Sequence, residues 1–302
     1  MESTIRTPDT SSVIVGVDGS QPARQAALWA AAEAVRRDRP LHVVHGAGTD
    51  GRALYLSVET AERGRALGRE ILAQTARSVA ADYPGLFVTT EFSRVDAVTS
   101  LHRAAGRHGT IVVGNRGLGG FDTLMLGSVG LDTAAEARTP VIVVRGADGT
   151  EERGTVLAAV RDEHDLAFAL YAAREAELRK ASLRLLHVWN LLSSVGSVVP
   201  TLDDIEGIAG EHAAVLEWVT DAVHTQFPEL LLESDAEKSV SVAGALVEAS
   251  HHADLLVMGG RRAPTALAIG RNLSRATHSV LHHAHCPVLL VPRAGADFGS
   301  RA

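Results

Sequence analysis

The chain has 302 residues, 46% of them hydrophobic, which is enough apolar material to fill the cores of two ordinary domains. Its net charge of −7 and pI near 6.0 exclude nucleic acid as the main partner, because phosphate backbones call for clustered positive charge. A single cysteine, Cys286, excludes an internal disulfide. With a polar stretch at residues 1–12 and no apolar run of membrane-spanning length, it points to a soluble protein of the reducing cytoplasm that contacts no membrane.

In chain order, strands are predicted at Val13–Val17, Leu41–Val44, Phe87–Phe92, Thr110–Val113 and Val141–Val144, alternating with helical patterns. Ser20 with Pro22 marks the start of a helix over Gln21–Arg37, where the missing proline N–H does no harm. A long helical pattern from about Tyr55 to Tyr83 stops before Pro84-Gly85. Strands recur at Val156–Val160, Leu183–Val188, near Leu230–Leu232, Leu255–Met258 and Val288–Val291. Short apolar strands alternating with helices predict a parallel sheet covered on both faces in each half.

The stretch from Ile111 to Val144 carries the chemistry. A buried-type strand ends at Gly114, and glycines follow as Gly114-x-x-Gly117-(nine residues)-Gly127-Ser128. Glycines at a strand's carboxyl end let backbone N–H groups approach an anion, and the helix expected over Val129–Ala137 would aim its free N–H groups at the same place. A lysine-dependent phosphate loop is excluded, because the only lysines are Lys180 and Lys238. A strict G-x-G-x-x-G fingerprint is excluded too, since it would need glycine at Asp122. Taken alone, the spacing also fits ordinary loop glycines.

The chain repeats itself. PLHVVH at Pro40–His45 returns as RLLHVW at Arg184–Trp189, and IVVG ending at Gly114 returns as LLVMG ending at Gly259, both assigned an offset of 145 residues. Pro140–Val144 returns as Pro287–Val291 at an offset of 147. The polar, glycine-rich Gly146–Gly154 marks the boundary, giving domains at 1–148 and 154–293 and a tail at 294–302.

VIVGVDGS at Val13–Ser20, LHVV at Leu41–Val44, the glycine spacing and LHHAHCPVLLV at Leu281–Val291 together resemble the universal stress protein family, in its tandem, actinobacterial-like form. The resemblance implies two five-stranded parallel α/β domains, Rossmann-like and of the adenine nucleotide alpha hydrolase type, packed as an internal pseudo-dimer through their fifth strands. It also implies ATP binding. Asp18 would take the ribose, Val43 the adenine, and Gly114, Gly117, Gly127 and Ser128 the phosphates, with Arg116 and Val129 beside them. Because no lysine stands near the phosphate charge, Mg2+ is expected with the ATP. The expected role is a nucleotide-dependent stress-response regulator with a protein client and a homodimeric state, whose loop from Gly114 to Gly127 orders on binding. It is expected not to be an enzyme. The alternatives are a slow ATPase or phosphotransferase, with Asp122, Arg116 or His108 near the phosphates, and a nucleotide-independent scaffold.

The second half departs from this pattern. Arg161 falls where Asp18 stands, Arg262 where Gly117 stands, and Ser274-Arg275 where Gly127-Ser128 stands. Either that site is degenerate or the arginines hold another anion, and an alignment using Gly270 as the helix-opening glycine stays open. His282, His283 and His285, like His251-His252, read as helix-end imidazoles before a metal cluster, so no metal site is expected. Ser128 lacks the glycine that an esterase elbow would need at Leu126.

Overall fold

A computed structural model describes residues 12–49, 57–117, 126–145, 152–190, 201–260 and 273–292. The chain divides into two compact units, Met1–Val144 and Arg145–Ala302.

In the first unit the strands are β1 (Val13–Gly16), β2 (Leu41–Gly46), β3 (Val88–Ser93), β4 (Thr110–Gly114) and β5 (Val141–Val144). They lie side by side in the order β3-β2-β1-β4-β5, and all neighbours run parallel. The order reverses between β1 and β4. In open α/β sheets that is where a crevice forms outside the strands' carboxyl ends. Ile14, Leu41, Ile111 and Ile142 are fully buried, as continuous apolar runs covered on both faces require.

Among the described residues the helices α1 (Gln21–Arg36), α2 (Val58–Asp82), α3 (Ala97–Ala105) and α4 (Ser128–Ala135) cover this sheet. α1 begins where expected, with Ser20 Oγ accepting from Ala23 N at 3.2 Å. Its buried face is almost all alanine: Ala23, Ala26, Ala27, Ala30, Ala31 and Ala34, at helical spacing, which lets the helix lie close on the strands. Glu33 is buried on the same helix and is held by Arg36 at 2.6 Å and Arg37 at 2.5 Å.

The second unit repeats the plan. Its strands are β6 (Thr155–Val160), β7 (Ser182–Trp189), β8 (Leu232–Lys238), β9 (Leu255–Gly259) and β10 (Val288–Val291), ordered β8-β7-β6-β9-β10 and again parallel. Its helices are α5 (Leu166–Arg179), α6 (Leu202–Gln226), α7 (Val242–Ala249) and α8 (Arg275–His283). β8 corrects the expectation near Leu230–Leu232. The strand starts at Leu232 and runs through Glu233, Ser234, Asp235, Ala236, Glu237 and Lys238, an exposed edge whose charge hides any apolar alternation.

Strand register also corrects the repeat. Val13 pairs with Leu41 and its counterpart Val156 pairs with Leu183, so Leu41 corresponds to Leu183, an offset of 142 rather than 145. The literal Leu-His-Val match slipped by three residues. His45 is therefore equivalent to His187, and a shared bond supports this: His45 Nδ1 donates to the Val17 carbonyl at 2.8 Å and His187 Nδ1 to the Val160 carbonyl at 3.0 Å.

Candidate functional site at the carboxyl edge of the first unit

Beyond β1, Val17 N still donates to the Val44 carbonyl at 3.0 Å, and the chain then turns at Gly19, whose φ of 87° suits a residue without a side chain. Asp18 Oδ1 accepts from Ser20 N at 2.9 Å, a local turn closed by an aspartate. That bond aims the rest of the carboxylate across the edge. A Cβ built on Gly117 would stand 2.5 Å from Asp18 Oδ2, so only glycine lets the two segments meet this closely.

β4 ends above the start of α1. A Cβ on Gly114 would come 2.9 Å from the Pro22 carbonyl oxygen and 3.0 Å from its carbon, both backbone atoms that cannot yield. The mouth of the following loop is pinned by Gly127 N donating to the Asn115 carbonyl at 2.9 Å. A Cβ on Gly127 would lie 3.6 Å from Arg116 Cα and Gly117 N.

Gly127 caps α4 with no side-chain hydrogen bond, so the first-turn N–H groups of Ser128, Val129 and Gly130 take no side-chain cap from it. Ser128 is exposed, and Val129 is 41% exposed. Asp18, Gly114, Arg116, Gly117, Gly127 and Ser128 thus converge at the β1/β4 edge, with Val129 one step along α4. Backbone donors with a helix N-terminus can receive an anion, and a carboxylate beside them can accept from a hydroxyl.

Val43 stands apart from this cluster. It is fully buried within β2, between Val15 and Thr90, so its side chain belongs to the core. His108 precedes β4 and so lies at the amino end of that strand. Four strand steps, about 13 Å, separate Thr110 from Gly114, which removes His108 from the reach expected for it. Asp122 lies outside the described residues. His45 was not singled out from the sequence, yet it ties β2 to the end of β1 and stacks on Phe92, with ring centroids 5.8 Å apart. Its signal was the second histidine at the same register in β7.

The second unit builds the same edge differently. Arg161 replaces Asp18; its backbone N–H donates to Asp165 Oδ2 at 2.8 Å and its Nε lies 3.4 Å from the same oxygen. Ser274 replaces Gly127 and caps α8 with its own side chain, Oγ accepting from Thr277 N at 3.0 Å. Arg275 opens α8 and is exposed, whereas Arg262 and Gly270 lie outside the described residues. On the opposite face of β7, His187 Nε2 lies 2.8 Å from His212 Nδ1, and Trp189 stacks on His212. Burial, then the neighbouring His212, holds the His187 imidazole below its ordinary pKa.

His282 is buried in the last turn of α8 and packs against His278, while His285 stacks on His251 at 3.4 Å between centroids. Among the described residues no group of three or more histidines, cysteines or carboxylates could hold a metal ion. No described helix is long and apolar enough to cross a membrane.

Two consecutive parallel α/β units of strand order 3-2-1-4-5, with closely approached glycines at the switch point of the first, define a tandem protein of the doubly wound class. The chain belongs to the universal stress protein family, which it matches over residues 10–145 and again over 152–292. A universal stress protein of Mycolicibacterium smegmatis is 29% identical over 293 residues, covering 92% of this chain and 96% of that one. One of Mycobacterium tuberculosis is 28% identical over 289 residues, covering 95% and 98%. The solved universal stress protein of Archaeoglobus fulgidus DSM 4304 has the same fold, with a TM-score of 0.71 at 16% identity over 95% of this chain and all of that one. Other family structures are complexes with dAMP and with cAMP; those ligands are facts about those proteins, which match 45% and 46% of this chain at TM-scores of 0.32 and 0.36.

Proposed function

We propose that the first unit binds ATP and that the protein acts as a nucleotide-dependent regulator rather than a turnover enzyme. The observation that carries this reading is the contact of Gly117 with the Asp18 carboxylate beside the uncapped start of α4. The second unit keeps the fold with Arg161 in place of Asp18 and a side-chain cap on the helix that corresponds to α4, so the fold itself requires neither the carboxylate nor the uncapped helix start. Asp18 would accept from the ribose hydroxyls. The N–H groups around Gly114–Gly117 and Gly127–Ser128 would meet the phosphates, and the base would sit at the carboxyl end of β2, beyond the buried Val43.

The described phosphate side offers backbone N–H groups, a serine hydroxyl and Arg116 but no lysine, so a magnesium ion carried by the phosphates fits the donor set. A protein client and a homodimer belong to the same proposal: a regulator needs a surface that reads its nucleotide state.

The reading is tested by releasing nucleotide from freshly purified protein and identifying it by chromatography, beside a Gly117→Arg variant. Bound adenine nucleotide in the native chain and none in a folded variant is expected. Equal nucleotide in both would sink the assignment. ADP accumulating in proportion to protein, and abolished by the same substitution, would favour the ATPase instead.

A further inference from the structure

The His187–His212–Trp189 cluster under α6 occupies positions that the first unit fills differently. α2 and α6 are both 25 residues long, with matched caps at Ser57 and Thr201 and at Tyr83 and Phe227, so His212 stands where α2 has Gly68. A Cβ on Gly68 would come 2.5 Å from Phe92 Cε2 and 2.8 Å from His45 Cδ2, because there a strand ring fills the space. In register, His45 pairs with Phe92 and His187 with Ala236. The second unit has moved the ring from the edge strand to the helix, and the new ring can take a proton.

The place matters for α6. On α2 the buried positions are Gly68, Leu72, Thr75 and Val79. On α6, Leu216, Val219 and Val223 are buried in the same register, whereas none of residues 203–211 is. His212 extends the buried row by one turn, with its Nδ1 2.8 Å from His187 Nε2 and its ring stacked on the buried Trp189. Turns with so few buried contacts are the ones that open first.

The hydrogen bond has a fixed sense. The Val160 carbonyl can only accept, so His187 Nδ1 carries a hydrogen, its Nε2 presents a lone pair, and His212 Nδ1 donates to it. One added proton still leaves a single hydrogen between the rings. A second puts a hydrogen on both facing nitrogens and two positive rings 4.9 Å apart, and the bond is lost. Asp162 after β6 faces His187, and Glu211 on α6 faces His212; both favour protonation. The short 3-10 turn after β6 adds Glu163, which pairs with His164, and the buried Asp165, which bonds Arg161. β8 places Lys238 opposite Trp189, and α5 turns Ala169, Ala172 and Ala173 inward. Burial outweighs the carboxylates and holds both imidazoles below their ordinary pKa, so the closed pair belongs to neutral pH and is lost as the pH falls below about 6.5.

We propose that the His187–His212 pair is a pH-sensitive latch on the amino-terminal turns of α6, which acid releases while the rest of the second unit stays folded. The latch does not depend on nucleotide in the first unit.

The test is hydrogen exchange on the full chain at pH 7.5 and 5, with His212→Gln as the reference at each pH because glutamine keeps a donor and does not titrate. The ratio of native to His212→Gln exchange over residues 202–211 should rise about tenfold at pH 5, with residues 216–226 and β7 unchanged. In a Trp29→Phe/Trp218→Phe background Trp189 is the only tryptophan, and its emission should shift below pH 6.5 before the circular dichroism of the fold is lost. The shift should vanish on adding His212→Gln. His212→Gly with Ala236→Phe restores the first unit's arrangement, should abolish both responses, and serves if His212→Gln does not fold. An unchanged exchange ratio, an equal rise across the whole second unit, or a Trp189 response that persists in a folded His212 variant would overturn the latch.

Discussion

Replacing Gly117 by alanine separates the site from the fold. The new Cβ would stand 2.5 Å from Asp18 Oδ2, and ordinary contact begins near 3.4 Å, so the carboxylate must retreat by about 0.9 Å. That oxygen is the end of a flexible side chain, so the retreat costs about 0.5–1.5 kcal/mol as an off-rotamer angle. It also stretches the 2.9 Å bond from Ser20 N, a loss of the same size at most. Stability should therefore fall by about 1–2 kcal/mol. An Asp18 moved by that distance no longer accepts from the ribose, and losing one hydrogen bond to a charged group, about 1.5–3 kcal/mol, weakens ATP roughly tenfold to hundredfold. Urea denaturation reads the first quantity and isothermal titration with Mg2+ and ATP the second. Native ATP affinity in the variant would refute the reasoning, and so would a stability loss so large that binding cannot be measured.

Three further outcomes follow from the same contacts. Glu33→Gln removes the charge that holds Arg36 and Arg37 over a buried helix face and should cost about 1–3 kcal/mol in urea denaturation; a change below about 0.5 kcal/mol contradicts the pairing. Burial, first among the causes in each case, holds His102, His187, His212, His282 and His285 below the ordinary value of 6.5. The unfolded chain then takes up protons first, so stability is full above about pH 6.5 and declines as the pH falls toward the folded-state values. The thermal midpoint should drop between pH 7.5 and 5.5, and a rise would contradict the assignment. Cys286 is 2% exposed, and burial pushes its thiol up to about 12, so a thiol reagent should leave it unmodified at pH 8 until denaturant is added.

Most of the fold is legible in the sequence because its strands are buried on both faces. Continuous runs such as Ile111–Val113 and Val288–Val291 admit one reading, and Ser20-Gln21-Pro22 announces a helix start that the structure shows capped. β8 was less legible for the opposite reason: an exposed edge strand written as Leu-Glu-Ser-Asp-Ala-Glu-Lys carries no apolar pattern. Duplication helped and misled at once. Leu-His-Val recurs by letter at an offset of 145, while hydrogen-bond register places β7 against β2 at 142, and that difference concealed the shared histidine. At the site, glycine spacing indicated which residues meet, since close approach is what a missing Cβ permits. It could not show that Val43 is enclosed by its neighbours, because burial by strands distant in sequence leaves no local pattern.

If the first unit alone binds the nucleotide, each chain carries a single ATP site. Isothermal titration of nucleotide-stripped protein with ATP and Mg2+ counts the sites. One ATP per chain is expected, lost in folded Gly117→Arg and retained when Ser274 is changed to alanine. Two sites per chain, none, or a single site that survives Gly117→Arg would contradict it.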